Sequence, residues 1–250
     1  YTSKNVFESY NSTFRYLVNV YSWITNETDP SGQANHYTPS SDECVCVFTG
    51  RPFAQWNNST WSVSTEDQTG LSYYTTYYKG IREASYFIAN VGRCPELSPA
   101  EALEWAAEAR FLRALSYYWL VTEWGDVPLV LKVLESTEEV RANNYRRPKA
   151  EIYQAIFDDL KYVTESPLLD VQPASACGKV SKAAAWALWG KALLQQACDE
   201  DFIGSKSELL GQAIGKLTAA WDLRKFGELS SVSYSSVWDL STQKSCAENI

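Results

Sequence analysis

The chain has 250 residues, enough to bury a sizeable core in one domain or in two small ones. Thirty acidic residues against 22 basic ones give a net charge of -8 and a pI near 4.8, which argues against a nucleic-acid partner, because phosphate backbones are bound through clustered Lys and Arg. No window approaches the ~18 consecutive apolar residues of a membrane-spanning helix, and six Cys in a chain this long are too dilute for a disulfide scaffold.

Residues 4–24 read as a first helix, with Phe7, Phe14, Leu17, Val18 and Tyr21 at helical spacing. The pattern then breaks. From Thr25 to Thr65 the sequence is rich in Asn, Ser, Thr, Pro and Gly, and a loop this long inside a compact domain is usually functional or disordered. Tyr37, Phe48, Phe53, Trp56 and Trp61 argue against disorder, since disordered segments are poor in aromatics. Cys44 and Cys46 would share one face of a strand and cannot easily bridge each other. With His36 as the single His and no Cys-x-x-Cys pair, neither a metal nor a cofactor is expected. Cys94, Cys177 and Cys198 read as small buried hydrophobes. The Asn-x-Ser/Thr sequences at Asn11, Asn26 and Asn58 read as fortuitous.

Helices resume near Glu66. The central one is the best defined: Ser98, Pro99 and Glu101 open it as a capping box with Pro at the first helical position. Gly125 closes it in a left-handed conformation, and Pro128 blocks continuation. Leu103, Ala107, Phe111, Ala114, Leu115, Tyr118 and Val121 fall on one face, which is read as core. Leu112, Trp119 and Leu120 lie elsewhere on the circumference, as in a central helix packed on two or more sides. Arg110 and Arg113 on such an enclosed helix should find carboxylates or carbonyls, and are read as structural clamps. Arg141, Arg146, Arg147 and Lys149, beside Glu135, Glu138 and Glu139, read as a solvated mixed-sign surface. Asp158 and Asp159 are adjacent on a helix and so face different directions. Farther on, Trp186, Gly190 and Leu193, then Ala213, Leu217 and Ala220, have the spacing of the two helices of a tetratricopeptide repeat. Ser205 and Glu208 form a capping box for the second. An enzyme finds little support: no Gly-x-Ser-x-Gly, phosphate-binding loop or dinucleotide fingerprint occurs, and nothing supports His36 as the base of a triad.

The stretch AAEARFLRALSYYWLVTEWGDVPLV, from Ala106 to Val130, resembles the signature of the SusD/RagB family of surface glycan-binding lipoproteins, whose pattern runs as an EA, a FLRA, an aromatic pair and GDVPL. Tyr77, Tyr78, Gly80 and Ile81 resemble the helix before that signature, with Ser85 where the family usually has Asn. Arg147 to Leu160 and Gly178 to Leu194 resemble the two helices that follow, so the matches cover most of residues 66–194.

The resemblance implies an all-α, tetratricopeptide-like helical-pair domain with a long irregular loop region. Residues 1–250 then form a single SusD-like helical region, truncated at its C-terminal end, with a loop insertion at 25–65 and the repeat-like helix pair at 179–223. The tail from Tyr234 has no helical periodicity and ends abruptly in SCAENI, as a chain covering the first half or so would. The implied function is capture of a polysaccharide or oligosaccharide, without chemical change, and delivery to a SusC-type, TonB-dependent outer-membrane transporter. The implied location is the cell surface, on the outer membrane, reached only through a lipid anchor that precedes Tyr1.

Sugars offer apolar C–H faces rimmed by hydroxyls, so their sites combine aromatic rings with hydrogen-bonding side chains. Arg51, Phe53, Gln55, Trp56, Asn57, Asn58 and Trp61 form the densest such cluster. Among them Arg51, Trp56, Asn57, Asn58 and Trp61 are the candidate glycan-binding residues, chosen on chemistry and location; the alternative is that both Trp pin the loop to the core. Tyr10, Tyr16 and Trp23 on the first helix suit either a transporter interface or core packing. A helical-repeat scaffold that binds protein rather than sugar is the alternative function, with its contacts along a helical groove.

Overall fold

In the computed structural model, which describes residues 6–24, 73–173, 176 and 178–223, each run of helical periodicity becomes a helix with an identifiable start. Helix α1 spans Tyr10–Ser22, and Ser9 caps it by accepting from the Ser12 N–H at 3.3 Å. It begins later than the expected residue 4, because residues 6–9 form a turn that still buries Phe7. Leu17 and Val20 face the core, whereas Val18 is 51% exposed and leaves the expected apolar face. Helix α2 spans Tyr74–Asn90 and runs into a 3-10 turn at Val91–Arg93.

The long helix α3, Pro99–Trp124, opens as its sequence requires. Ser98 Oγ accepts from the Glu101 N–H at 3.2 Å, and Glu101 Oε2 accepts from the Ser98 N–H at 2.9 Å, completing the capping box. Gly125 ends the helix at φ 69 and ψ -118, a glycine-favouring conformation outside the left-handed helical well that its sequence suggested. Its N–H donates to Val121 O at 3.0 Å.

Helix α3 is enclosed around its circumference. Trp105, Ala107, Ala109, Leu112, Ala114, Tyr117, Leu120 and Val121 are all buried, with α2 and α5 as the principal neighbours. Leu103 is a correction: it is 47% exposed, since the opening turns of α3 project past their neighbours and continuous burial begins only at Trp105.

After α3 the chain runs as an extended strap to Leu134. The short helix α4, Thr137–Asn143, follows, capped by Ser136. Helix α5, Lys149–Glu165, packs on α3, and α6, Lys182–Cys198, starts at a Ser181 cap. Helix α7, Lys206–Leu223, closes the described part, with Ser205 Oγ accepting from the Glu208 N–H at 3.2 Å. Among the described residues there is no strand, only one antiparallel bridge between Val127 and Arg147.

The α6–α7 pair packs closely because Gly190 has no side chain: a Cβ there would lie 2.5 Å from Leu217 Cγ and 3.2 Å from Ala213 O. Cys94 is buried as expected, but Cys198 is exposed at the end of α6, where the chain has already left the core. Cys44, Cys46 and Cys177 lie outside the described residues.

Candidate functional site

One groove of the molecule is bounded by a strap that a buried charge cluster holds in place. Asp159 of α5 accepts from Arg113 Nε and Nη2 at 2.8 Å each, and from Arg110 Nη1 at 2.7 Å. Arg113 also donates to Ser85 Oγ at 3.1 Å and to Leu131 O at 3.0 Å. Both arginines are therefore the clamps their sequence context implied, and Arg113 ties α2, α3, α5 and the strap together. Ser85, which departs from the family pattern, keeps a polar role by accepting from Arg113.

Two tyrosines finish fixing the strap. The Tyr117 hydroxyl donates to Val130 O at 2.9 Å and accepts from Val130 N–H at 2.7 Å. The Tyr78 hydroxyl donates to Pro128 O at 2.6 Å. Burial, the leading cause, pushes both phenols above their ordinary value, so they stay neutral donors.

Held in this way, the strap, α2 and α4 bound a groove of about 440 Å³, lined by Tyr74, Tyr78, Arg82, Pro128, Val130, Lys132, Val140, Asn143 and Asn144. The Tyr74 and Tyr78 ring centroids are 4.9 Å apart, and Tyr74 meets Trp124 edge-on at 5.4 Å. The Asn143 amide N–H donates back to Glu139 O at 2.8 Å, which fixes that side chain. Half-buried aromatic faces with amides and cations at the rim match the chemistry of a sugar ring, apolar on its face and hydroxylated at its edge. The pairing of Tyr74 with Tyr78 at helical spacing and the Asn143–Asn144 dipeptide were visible in the sequence. What joins them was not, because the strap has no periodicity.

The loop between α1 and α2 is rooted beside this groove. Trp23, just after α1, packs so closely on Gly80 that a Cβ there would lie 3.2 Å from Trp23 Cβ, and Lys79 Nζ stands 5.6 Å from the Trp23 ring centroid. Arg51, Trp56, Asn57, Asn58 and Trp61, with His36, lie outside the described residues. Tyr16 packs against the core, whereas Trp23 is half-buried and packs on Gly80. Tyr16 packs on Phe7, Tyr86 and Phe87, and its hydroxyl donates to Glu83. Tyr10 is 40% exposed, edge-on to Trp105 at 5.0 Å. Among the described residues, no three His, Cys, Asp or Glu side chains stand together as a metal site would require.

The basic residues in the last turn of α4 and after it also behave as their context implied. Arg141 and Arg146 are exposed, Arg147 pairs with Glu151 at 3.4 Å, and the Arg147 guanidinium lies 4.5 Å from the Tyr145 ring centroid.

Comparison with known proteins agrees with this architecture. A SusD-like family model, described as starch-binding and associating with the outer membrane, matches residues 4–194. SusD-like protein P25 of Formosa agariphila is 27% identical over 157 residues, which is 63% of this chain and 29% of that protein. A SusD-like protein from Bacteroides fragilis NCTC 9343 superposes with a TM-score of 0.71 at 22% identity, covering 96% of this chain and 43% of that one. A laminarin-binding SusD-like protein gives a TM-score of 0.62 at 21% identity, covering 85% and 44%. The chain thus spans less than a third of P25 and less than half of each solved protein, and at these identities the structural likeness speaks for the fold alone. The family match over residues 4–194, well over half of the 250, carries more: this chain belongs to the SusD-like family.

Proposed function

We propose that this protein captures a polysaccharide or oligosaccharide at the outer surface of the cell, without altering it, and passes it to a SusC-type, TonB-dependent transporter in the outer membrane. The observation that carries the proposal is the mostly apolar, polar-rimmed groove beside the roots of the aromatic loop, in a chain whose family is described as starch-binding. In this reading the insertion at 25–65 is the recognition loop. Trp56 and Trp61 stack on sugar faces, while Arg51, Asn57 and Asn58 bond hydroxyls, and Tyr74 and Tyr78 extend the platform on α2. Helices α6 and α7 act as a tetratricopeptide-like support, and a lipid anchor keeps the whole on the membrane.

The test is affinity electrophoresis against plant, microbial and host polysaccharides, followed by calorimetry. Retardation by one class of glycan supports capture and names the substrate. Failure across the panel would sink it in favour of the protein-binding scaffold, which one feature favours: Leu210, Ile214, Leu217 and Trp221 present a 39–66% exposed apolar stripe along α7.

A further inference from the structure

A second, smaller cavity of about 290 Å³ lies at the start of α5 and the turn between α6 and α7. Asp126 and Pro148, each next to a residue of the Val127–Arg147 bridge, line it, whereas Pro128 lines the groove described above. Tyr153 lines it as well. That residue is 1% exposed; its hydroxyl lies near enough to Asp199 for that carboxylate to add to the upward push of burial on its pKa, yet among the described residues it makes no hydrogen bond of ordinary geometry. Buried hydroxyls are nearly always satisfied, and one left unpaired is costly. The Tyr153 hydroxyl is therefore short of a well-made bond, and Tyr153 lines a space large enough to admit a small ligand.

The rest of the lining says which ligand fits. Lys149 Nζ pairs with Asp201 Oδ1 at 2.5 Å and with Asp199 Oδ2 at 3.4 Å. Asp126 Oδ1 accepts from the Lys149 backbone N–H at 2.9 Å. Three carboxylates against one ammonium repel an anion, and Lys149 already fills the cation's place between two of them. Gln196 adds an amide, and the half-buried Phe202 adds an aromatic face. Gly204, at φ 150, lets that ring fold back over the turn: a Cβ there would lie 2.7 Å from Phe202 Cζ. Ligand pockets run from about 300 to 1,000 Å³, so this one suits a single ring rather than a chain.

We propose that this cavity binds one neutral sugar ring, stacked on Phe202, hydrogen-bonded by the Tyr153 hydroxyl, Gln196 and Asp199, and separate from the loop and groove. The proposal rests on the reading of the protein as a glycan binder and gives it a second point of attachment. One polysaccharide engaging both sites would be held more tightly than by either alone.

The test is an NMR titration of the full chain, labelled with nitrogen-15, against glucose, galactose, mannose and xylose, run beside affinity electrophoresis of the same protein. The expected result is saturable shifts, for at least one sugar, confined to amides of residues 149–153 and 196–204. Tyr153→Phe, which keeps the ring in the core, should weaken that binding by about fivefold, the loss of one neutral hydrogen bond. Phe202→Ala, at a half-buried turn position, should weaken it at least as much. Absence of saturable shifts with all four sugars, shifts that both variants leave unchanged, or shifts produced by calcium chloride alone would overturn the site. Polysaccharide retention without shifts here would overturn this site and spare the loop and groove. Absence of both would overturn the two readings together.

Discussion

Asp159 is the residue on which the charged interior turns. It is 3% exposed, and Arg113 is 4% exposed, so neither charge is relieved by water. Replacing one partner of a buried pair leaves the other unpaired, and Asp159→Asn should cost about 3–5 kcal/mol by chemical denaturation. A loss under about 1 kcal/mol would mean that Arg113 escapes to solvent when released. The cluster was half legible in the sequence. Arg110 and Arg113 announced a need for carboxylates, and Asp159 falls in helical phase with Ile152, Ile156 and Val163, all buried, whereas Asp158 is exposed. Glu108 gave no such notice. It is 3% exposed on α3 and accepts from the Tyr21 hydroxyl at 2.5 Å, while Tyr21 in turn accepts from Val180 N–H at 3.1 Å. Burial raises the Glu108 carboxyl above its ordinary value of 4.5, against the opposing pull of Tyr21 and Lys179. The folded state therefore holds this proton at pH values where the unfolded chain has lost it, and stability falls as pH climbs from the ordinary value through the raised one. Glu108→Gln mimics the protonated acid, so it should raise the thermal midpoint at neutral pH, with the gain fading on acidification. A gain independent of pH would refute that assignment.

Helix ends and helix contacts were the most readable features of the chain. The Ser98 capping box, Gly125 and the Ser205 cap are local chemistry, and local chemistry is written in adjacent residues. Ser98→Ala should cost about 1 kcal/mol, read as a lower denaturation midpoint with an unchanged slope. Gly190→Ala is a sharper test of the α6–α7 contact. Helix propensity alone favours Ala by up to about 1 kcal/mol, but the new methyl would meet Leu217 and the Ala213 carbonyl, and overpacking typically costs about 1–3 kcal/mol. Net destabilisation with faster hydrogen exchange across 206–223 is expected; a stabilised variant would mean that α7 yields at little cost. Periodicity misled at Val18 and Leu103, which have the right phase but which nothing among the described residues covers. The seven-residue α4 escaped notice because two turns carry too little pattern, even with Ser136 and Glu139 at capping spacing.

The molecule combines a helical body, largely readable from periodicity, with a binding surface that is not. Its groove is assembled from α2, the strap and α4, segments about fifty residues apart in sequence, and no local pattern reports such a meeting. The loop cluster was selected on chemistry and location alone, and it lies outside the described residues. Under the proposed function, Trp56→Ala and Trp61→Ala should each weaken sugar binding roughly tenfold, as loss of a stacking ring does, with the thermal midpoint nearly unchanged. Loss of stability with affinity intact would assign both rings to the core. The enclosure of α3 has a consequence for how the protein is made. That helix is complete at Trp124, but α5, which covers one of its sides, ends only at Glu165. At a synthesis rate of about 5–20 residues per second, the intervening forty or so residues take roughly 2–8 s to appear. For that interval Arg110 and Arg113 of α3 are without the Asp159 carboxylate that α5 brings to them. The order in which this core is delivered thus leaves its charged interior to be completed last among α2, α3 and α5.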